Sequence, residues 1–240
     1  MPNTYLLSWD ETGSRYFETG VSNCVLYPYD KDAADQTQVY GPGVAWNGIT
    51  GIDESPDGAD ATDLWADNIK YATLRAPEDY GGSISAYTYP DEFEECDGSA
   101  SVIDGVHIGQ QARKTFGLCY RTNIGSDVDT SAETDYYLHL VYGCTASPSD
   151  RSYETINDNP DAIEFEWDFE TTPVNVPVTG GVTYKPTAHI KIDSRQFNTT
   201  ELQTKLNNLK AKLYGTPASG NDAAVPAYLP LPAEVISTLS

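Results

Sequence analysis

The chain has 240 residues, and its 36 acidic and 14 basic residues give a formal net charge of −22. A free-standing nucleic-acid binder needs a basic footprint, which this composition lacks, and an anionic membrane surface would repel the chain. The acidity is concentrated in residues 1–184, whereas residues 185–240 carry slightly more bases than acids.

Export and membrane signals are missing from the sequence. The N-terminal residues contain no basic segment followed by a long apolar run, and no stretch approaches 18 apolar residues. The cysteines, Cys24, Cys96, Cys119 and Cys144, are too far apart for a metal-knuckle motif. We therefore expect four free thiols, synthesis in a reducing cytoplasm and no membrane anchor.

Strand signals run along most of the chain. Segments rich in Tyr, Val, Ile and Thr, bounded by Gly, Pro, Asp and Asn, predict strands at 15–20, 22–27, 69–75, 82–89, 114–122, 136–143 and 187–193. The clearest pattern lies at 162–170, where apolar and acidic residues alternate. The apolar set is Ile163, Phe165, Trp167 and Phe169, and the acidic set is Glu164, Glu166, Asp168 and Glu170. Period-two alternation predicts a strand with one wholly acidic face, and the fold class is mainly β.

The segment 41–66 is predicted to be a long irregular loop rich in Gly, Pro and Asp. It also carries large apolar residues that need a packing partner: Trp46, Ile49, Ile52, Leu64 and Trp65. Two interpretations remain open from the residues alone. The loop is an inter-subunit contact that orders on assembly, or it folds back onto its own domain.

One helix is predicted at 199–214. Leu202, Leu206, Leu209 and Leu213 form a single apolar stripe that would dock on a sheet. Asn198 is the predicted N-cap, with Glu201 three positions on, and Gly215 ends the helix. A shorter helical turn is expected at 90–97.

The predicted domain division places a β domain with this helix at 1–214. A Pro-rich arm at 215–240 would then dock on that domain or on a neighbouring subunit.

Motifs for chemistry are weak. No phosphate-binding loop or nucleophile elbow occurs, and His107, His139 and His189 lack the spacing of a helical metal motif. His139, inside a predicted strand, is expected to be a structural histidine. Residues 53–58 imitate the start of a calcium loop, but Leu64 stands where a bidentate Glu is needed. Although abundant carboxylates leave a glycosidase pair possible by count, we expect no catalytic residue, cofactor or metal ligand.

Several stretches together resemble the major tail protein, or tail tube protein, family of long-tailed bacteriophages (siphophages). They are GVAWNGITGIDESPDGADATDLWADNIKY (43–71), AYTYPDEFEECDGS (86–99), GQQARKTFGLCYRTNIGSD (109–127), HLVYGCTASPSDRSYETIND (139–158), AIEFEWDFETTPV (162–174) and LPLPAEVI (229–236). The resemblance implies a β-sandwich or β-barrel-like subunit with one flanking helix and long loops. Six subunits would pool their strands into a ring-wide barrel, and stacked rings would form the conduit for DNA ejection.

The resemblance also implies partners and a location. The chain would bind itself, the tape measure protein, and the tail tip and tail terminator proteins, and double-stranded DNA would pass without specific binding. It would reside in the virion tail after synthesis in the host cytoplasm. Glu164, Glu166, Asp168 and Glu170 become candidates for the lumen wall, with an ordinary solvated outer face as the alternative. The loop at 41–66 would join one ring to the next.

Two other classes remain as alternatives. A phage head decoration or tail-terminator protein has a similar composition but would not polymerise into long tubes. A β-sandwich carbohydrate-binding or adhesion module would use exposed aromatic residues to bind its target.

Overall fold

The computed structural model describes residues 7, 9, 11–128, 135–153, 155–156, 162–219 and 223–240. The strands in chain order are β1 (Tyr16–Pro28), β2 (Val44–Ala45), β3 (Ile49–Glu54), β4 (Asp57–Gly58), β5 (Ala61–Ala66), β6 (Ile69–Arg75), β7 (Glu78–Asp79), β8 (Gly81–Ala86), β9 (Ala100–Ile103), β10 (Val106–Ile108), β11 (Phe116–Ser126), β12 (Asp135–Ala146), β13 (Phe165–Thr171) and β14 (His189–Asp193). The α-helices are α1 (Glu94–Asp97), α2 (Thr200–Tyr214) and α3 (Pro232–Leu239). The prediction of a mainly β fold is confirmed.

The main sheet has the strand order β2-β1-β11-β12-β13-β8-β3, and β14 also pairs with β12. Strand β12 therefore changes partner along its length. Residues 137–141 pair with β14, whereas residues 144–146 pair with β13. Gly143 lies between the two segments with φ +65, and a Cβ there would stand 2.2 Å from the Thr172 carbonyl oxygen. Only glycine fits this switch of partner.

Two apolar clusters bury the two faces of the layer formed by β1, β11 and β12. The first lies between this layer and β3, β8 and β13, and it contains Trp46, Phe93, Phe116 and Trp167. The second lies between the opposite face and helices α2 and α3. Because both faces of the central layer are buried, the sequence of β12 is a nearly continuous run of apolar residues rather than an alternation of apolar and polar residues.

Helix α2 covers the second cluster through its leucine stripe. Leu206, Leu209 and Leu213 are buried, and Leu202 is half-buried. The predicted N-cap was wrong by one residue. The Thr199 hydroxyl, rather than the Asn198 side chain, accepts the hydrogen bond from the Leu202 amide at 3.3 Å, because Thr199 is the last residue with extended backbone.

The loop prediction for 41–66 was wrong. The segment contains β2, β3, β4 and β5, because its Gly and Asp residues occupy turns and exposed strand positions rather than a connector. The hairpin of β9 and β10 and the helix α3 were not predicted either. Helix α3 packs beside α2, so two helices flank the sheet where one was expected.

Residues in the predicted C-terminal arm contact the rest of the chain in this structure. The Ala227 carbonyl accepts from the Gly43 amide at 2.7 Å, and the Leu229 amide donates to the Tyr40 carbonyl at 3.0 Å. Leu229 is fully buried in the second cluster. The domain boundary at residue 214 stays a prediction, and residues 1–6 and 220–222 lie outside the described part of the chain. Among the described residues, no helix is long and apolar enough to cross a membrane.

Candidate assembly interface

Strand β13 has an apolar and an acidic face, as its sequence predicts, but it begins at Phe165, and Ile163 of the predicted apolar face is exposed. Trp167 and Phe169 are buried in the first cluster, and the acidic residues point to solvent: Glu164, Glu166, Asp168 and Glu170. Glu164 precedes the strand and accepts a hydrogen bond from the Thr50 hydroxyl. The four carboxylates therefore lie along the solvent face of the layer formed by β3, β8 and β13.

Sheet register adds a further carboxylate to this face. Asp168 lies opposite Ser83, and Ser83 lies opposite Asp53. Directly opposed residues of antiparallel strands point to the same side of a sheet, so Asp53 joins the acidic face. Sequence reasoning missed Asp53 because it belongs to the segment that was predicted to be a loop. A surface of this charge repels polyanions, with a range set by a screening length of about 8 Å at physiological ionic strength.

Beyond this layer, β3 and β8 continue as a long two-stranded ribbon. Their extension pairs β4 with β7 and then β5 with β6. We call residues 57–79 the arm; this segment is distinct from the predicted C-terminal arm at 215–240. Its tip is a two-residue turn at Asp67 and Asn68, whose φ values of 52° and 64° are typical of a type I′ turn. This turn type matches the right-handed twist of the two strands, and the pairing of β5 with β6 reaches the turn with one register shift between Leu64 and Trp65.

The arm carries large apolar side chains that have no covering layer. Trp65 is 67% exposed and Tyr71 is 74% exposed. Leu64, Ile69 and Leu74 are exposed as well. The arm also holds one ion pair, Lys70 Nζ to Asp63 Oδ1 at 2.8 Å, and hydrogen bonding to Lys70 lowers the pKa of Asp63. An ordered ribbon with several exposed large apolar residues is typical of a protein–protein contact surface.

The structure divides the five predicted contact residues into two groups. Leu64 and Trp65 lie on the arm in solvent, whereas Ile49 and Ile52 pack against the first cluster. Trp46 is only 3% exposed, and its indole nitrogen donates to the Thr88 carbonyl at 2.9 Å. The candidacy of Trp46 as an exposed contact was therefore wrong, because the ring fills the space between Phe93 and Trp167.

A second exposed hairpin is formed by β9 and β10. Val102, Ile103, Val106 and Ile108 are all exposed on it. The hairpin turns at Asp104 and Gly105, and Gly105 has φ 79°. An Asp-Gly pair between two short apolar runs is a strong hairpin signal that could have revealed this element in the sequence.

A polar cluster lies where β3 ends and the arm begins. The His139 Nδ1 atom is 3.1 Å from His189 Nε2 and 3.4 Å from Glu54 Oε1. His139 is 3% exposed, and the ligand atoms of the three residues lie within 4.8 Å of one another. The hydrogen bonds of Glu54 with His139 and with the Tyr120 hydroxyl lower the pKa of Glu54 to about 2, against the effect of burial. Burial lowers the pKa of His189 to about 4, so its ring is neutral at pH 7.

A scan against protein-family models and a search of curated proteins found no match. Among solved structures, the chain is similar to a sheath/tube terminator of an extracellular contractile injection system (PVC) determined by cryo-EM in the extended state. The TM-score is 0.31 at 10% identity, covering 70% of this chain and 96% of that chain. At that TM-score the likeness is too distant to support an inference about this chain.

Proposed function

We propose that the chain is a non-enzymatic structural subunit of a phage tail tube, and that its arm joins one subunit ring to the next. The observation that carries the proposal is the arm itself, a regular ribbon whose Trp65 and Tyr71 side chains are mostly exposed. A β-rich subunit of this kind would form stacked rings, which the sequence resemblance suggests are hexameric.

The arm has the physical properties of an assembly contact. Its backbone is already ordered by strand pairing, so binding would cost less conformational entropy than the ordering of a flexible loop. Large aromatic side chains are the usual anchors of protein interfaces, and truncating one at a hot spot costs about 2 kcal/mol or more. Leu64 lies opposite Ala72, which stands two residues before Leu74. Leu64 and Leu74 therefore share one face of the ribbon and can enter the same groove.

The acidic face is suited to the wall of a conduit. Asp53, Glu164, Glu166, Asp168 and Glu170 point away from the core on one layer. A wall of carboxylates offers DNA none of the cationic phosphate contacts that hold it, so DNA in transit would not bind. In this role the chain would also meet the tape measure, tail tip and tail terminator proteins.

Assembly of the purified full chain tests the proposal. We expect concentrated protein to form rings or tubes in negative-stain microscopy and fast-sedimenting species in the ultracentrifuge. The double substitution Trp65→Ser and Tyr71→Ser should abolish stacking and leave the subunit's melting temperature unchanged. Tyr184→Ser removes an exposed tyrosine outside the arm and is the matched control, which should assemble like the unmodified chain.

Three outcomes would contradict the proposal. A chain that stays monomeric at every concentration, with or without tail tips as seeds, is not a tube subunit. A strict monomer that binds glycans through its exposed aromatic residues would instead be an adhesion module. Equal assembly of the double variant and the control would show that the arm is not the contact.

A further inference from the structure

The polar cluster at the foot of the arm has the composition of a transition-metal site. Glu54 ends β3, His139 lies in the middle of β12, and His189 begins β14. Two imidazole nitrogens and one carboxylate form a ligand set that catalytic and mixed zinc sites use. The ligands come from three strands that are distant in sequence, so no short motif announces them.

Two of the three distances between ligand atoms match those of ligands that share one metal ion. Zinc binds imidazole nitrogen at about 2.0–2.1 Å and carboxylate oxygen at about 2.0–2.2 Å, so adjacent ligand atoms of a tetrahedral site stand roughly 3.3 Å apart. The observed separations are 3.1 Å between His139 Nδ1 and His189 Nε2, and 3.4 Å between His139 Nδ1 and Glu54 Oε1. All three atoms lie within 4.8 Å of one another.

The neighbours of His139 determine which of its nitrogens carries a proton. The Thr122 hydroxyl donates to the Glu18 carboxylate, which can only accept. The same Thr122 oxygen lies 3.1 Å from His139 Nε2, so it accepts the proton of that nitrogen. Glu18 also stands 3.6 Å from Nε2 and adds a negative charge on that side. A histidine that donates one N–H to a hydroxyl or carboxylate and offers its other nitrogen outward is the usual arrangement of a metal ligand.

With Nε2 as the donor, Nδ1 is left as an acceptor that faces His189 Nε2 and Glu54 Oε1. Glu54 Oε1 already accepts from the Tyr120 hydroxyl at 2.7 Å, and its ionised carboxylate has no proton to give. An N–H of His189 would satisfy Nδ1 alone and would leave Glu54 Oε1 beside the same lone pair. A metal ion satisfies the carboxylate and both rings at once and leaves both rings neutral.

We propose that Glu54, His139 and His189 bind a divalent transition-metal ion of the zinc type, which joins the foot of the arm to the central layer. The Glu54 ligand is held by Tyr120, and the His189 ring stacks on Tyr80 with ring centroids 4.9 Å apart. Within the described part of the chain, the buried Tyr80 hydroxyl has no hydrogen-bond partner of good geometry.

The ion would join β3 to the paired strands β12 and β14. Strand β3 lies at the end of the main sheet order, several strands away from β12 and β14. A bond network through the ion would therefore fix the direction in which the arm leaves the domain. This inference is independent of the tail tube proposal, since it rests on the three ligands alone.

Zinc titration of the metal-stripped full chain tests the site. We expect saturable binding of one zinc ion per chain in competition with a coloured chelator, and a rise in melting temperature on binding. Cobalt in place of zinc should give the visible absorption of a tetrahedral site. Glu54→Gln and His189→Gln should each remove this binding, whereas Thr122→Val, which removes the hydroxyl that positions His139 and also binds Glu18, should weaken it about 10-fold.

The third histidine of the chain supplies the matched control. His107 pairs with Glu94 at 2.7 Å on the surface, and His107→Gln should bind zinc like the unmodified chain. Circular dichroism of each metal-free variant shows whether it folds. If His189→Gln does not fold, Glu54→Gln is the safer test, because the Glu54 side chain is half-exposed. The proposal is overturned if zinc does not bind saturably, or if Glu54→Gln binds it as tightly as His107→Gln. Either result would leave the cluster a hydrogen-bond network without a metal ion.

Discussion

The ribbon that runs from Ile49 to Ala86 consists of two parts with similar composition. The inner part packs against a core, and the outer part is surrounded by solvent. In the inner part, β3 and β8 place Ile52 and Ile84 opposite each other and against the first cluster. In the arm, Leu64 and Trp65 belong to an equally regular ribbon but have no layer beneath them. Apolar content therefore did not decide which part is buried. Burial of the inner part depends instead on β13, which pairs with β8 and extends the inner ribbon into a layer that can cover a core.

The largest expected difference lies between two tryptophans of this ribbon region. Trp46→Ala removes a ring packed between Phe93 and Trp167 and should lower the free energy of unfolding by about 3–5 kcal/mol. Trp65→Ala removes an exposed ring and should change the subunit's stability by no more than about 0.5 kcal/mol. Urea unfolding of the two variants beside the unmodified chain measures both values. Equal losses would mean that the arm packs on its own domain in solution.

A smaller effect is expected at the tip of the arm. Asn68 has φ 64°, a conformation that glycine adopts without steric cost. Asn68→Gly should stabilise the hairpin locally by about 0.5 kcal/mol, and Asn68→Ala should destabilise it. Hydrogen exchange of the β5 and β6 amides should slow in the first variant and accelerate in the second. Amides of β3 and β8 should not respond, and a response there would show that the two parts of the ribbon open together.

The smallest expected effect is a pH response of the arm. Hydrogen bonds from Lys70 and then Thr73 lower the pKa of Asp63 below its ordinary value of 3.8. Since the folded-state pKa is depressed, this stabilisation is present above pH 3.8 and is lost as the pH falls below it. The indole resonance of Trp65 should shift in that range while that of Trp46 stays constant. Asp63→Asn should remove the response, and a pH-independent Trp65 signal in the unmodified chain would contradict it.

The sequence predicted the elements whose residue patterns can be recognised within one short segment. The alternation at 162–170 located β13 and its acidic face, and the leucine spacing located α2. The error at 41–66 has a physical cause. All six residues of β5 are exposed, and exposed positions on both faces of the arm remove the alternation that identifies a strand in the sequence.

The contacts between side chains that are distant in sequence were harder to predict than the secondary structure. Glu54, His139 and His189 come together only because β12 pairs with β14 and β3 lies across from them, and sequence spacing carries no trace of that geometry. The burial of Trp46 depended in the same way on a neighbour, Trp167, that is more than a hundred residues away. Asp53 joined the acidic face through cross-strand register, which a single sequence does not specify.

The buried cysteines report separately on the opening of the two apolar clusters. Cys24, Cys96 and Cys144 lie in the first cluster, and Cys119 lies in the second. Burial raises the pKa of Cys96 and of Cys119 to about 12, so neither forms appreciable thiolate at neutral pH while its layer is closed. A thiol reagent can therefore attack each cluster only when that cluster separates. The order in which the peptides become labelled under mild denaturant would show whether the sheet–sheet layer or the helix-covered layer parts first.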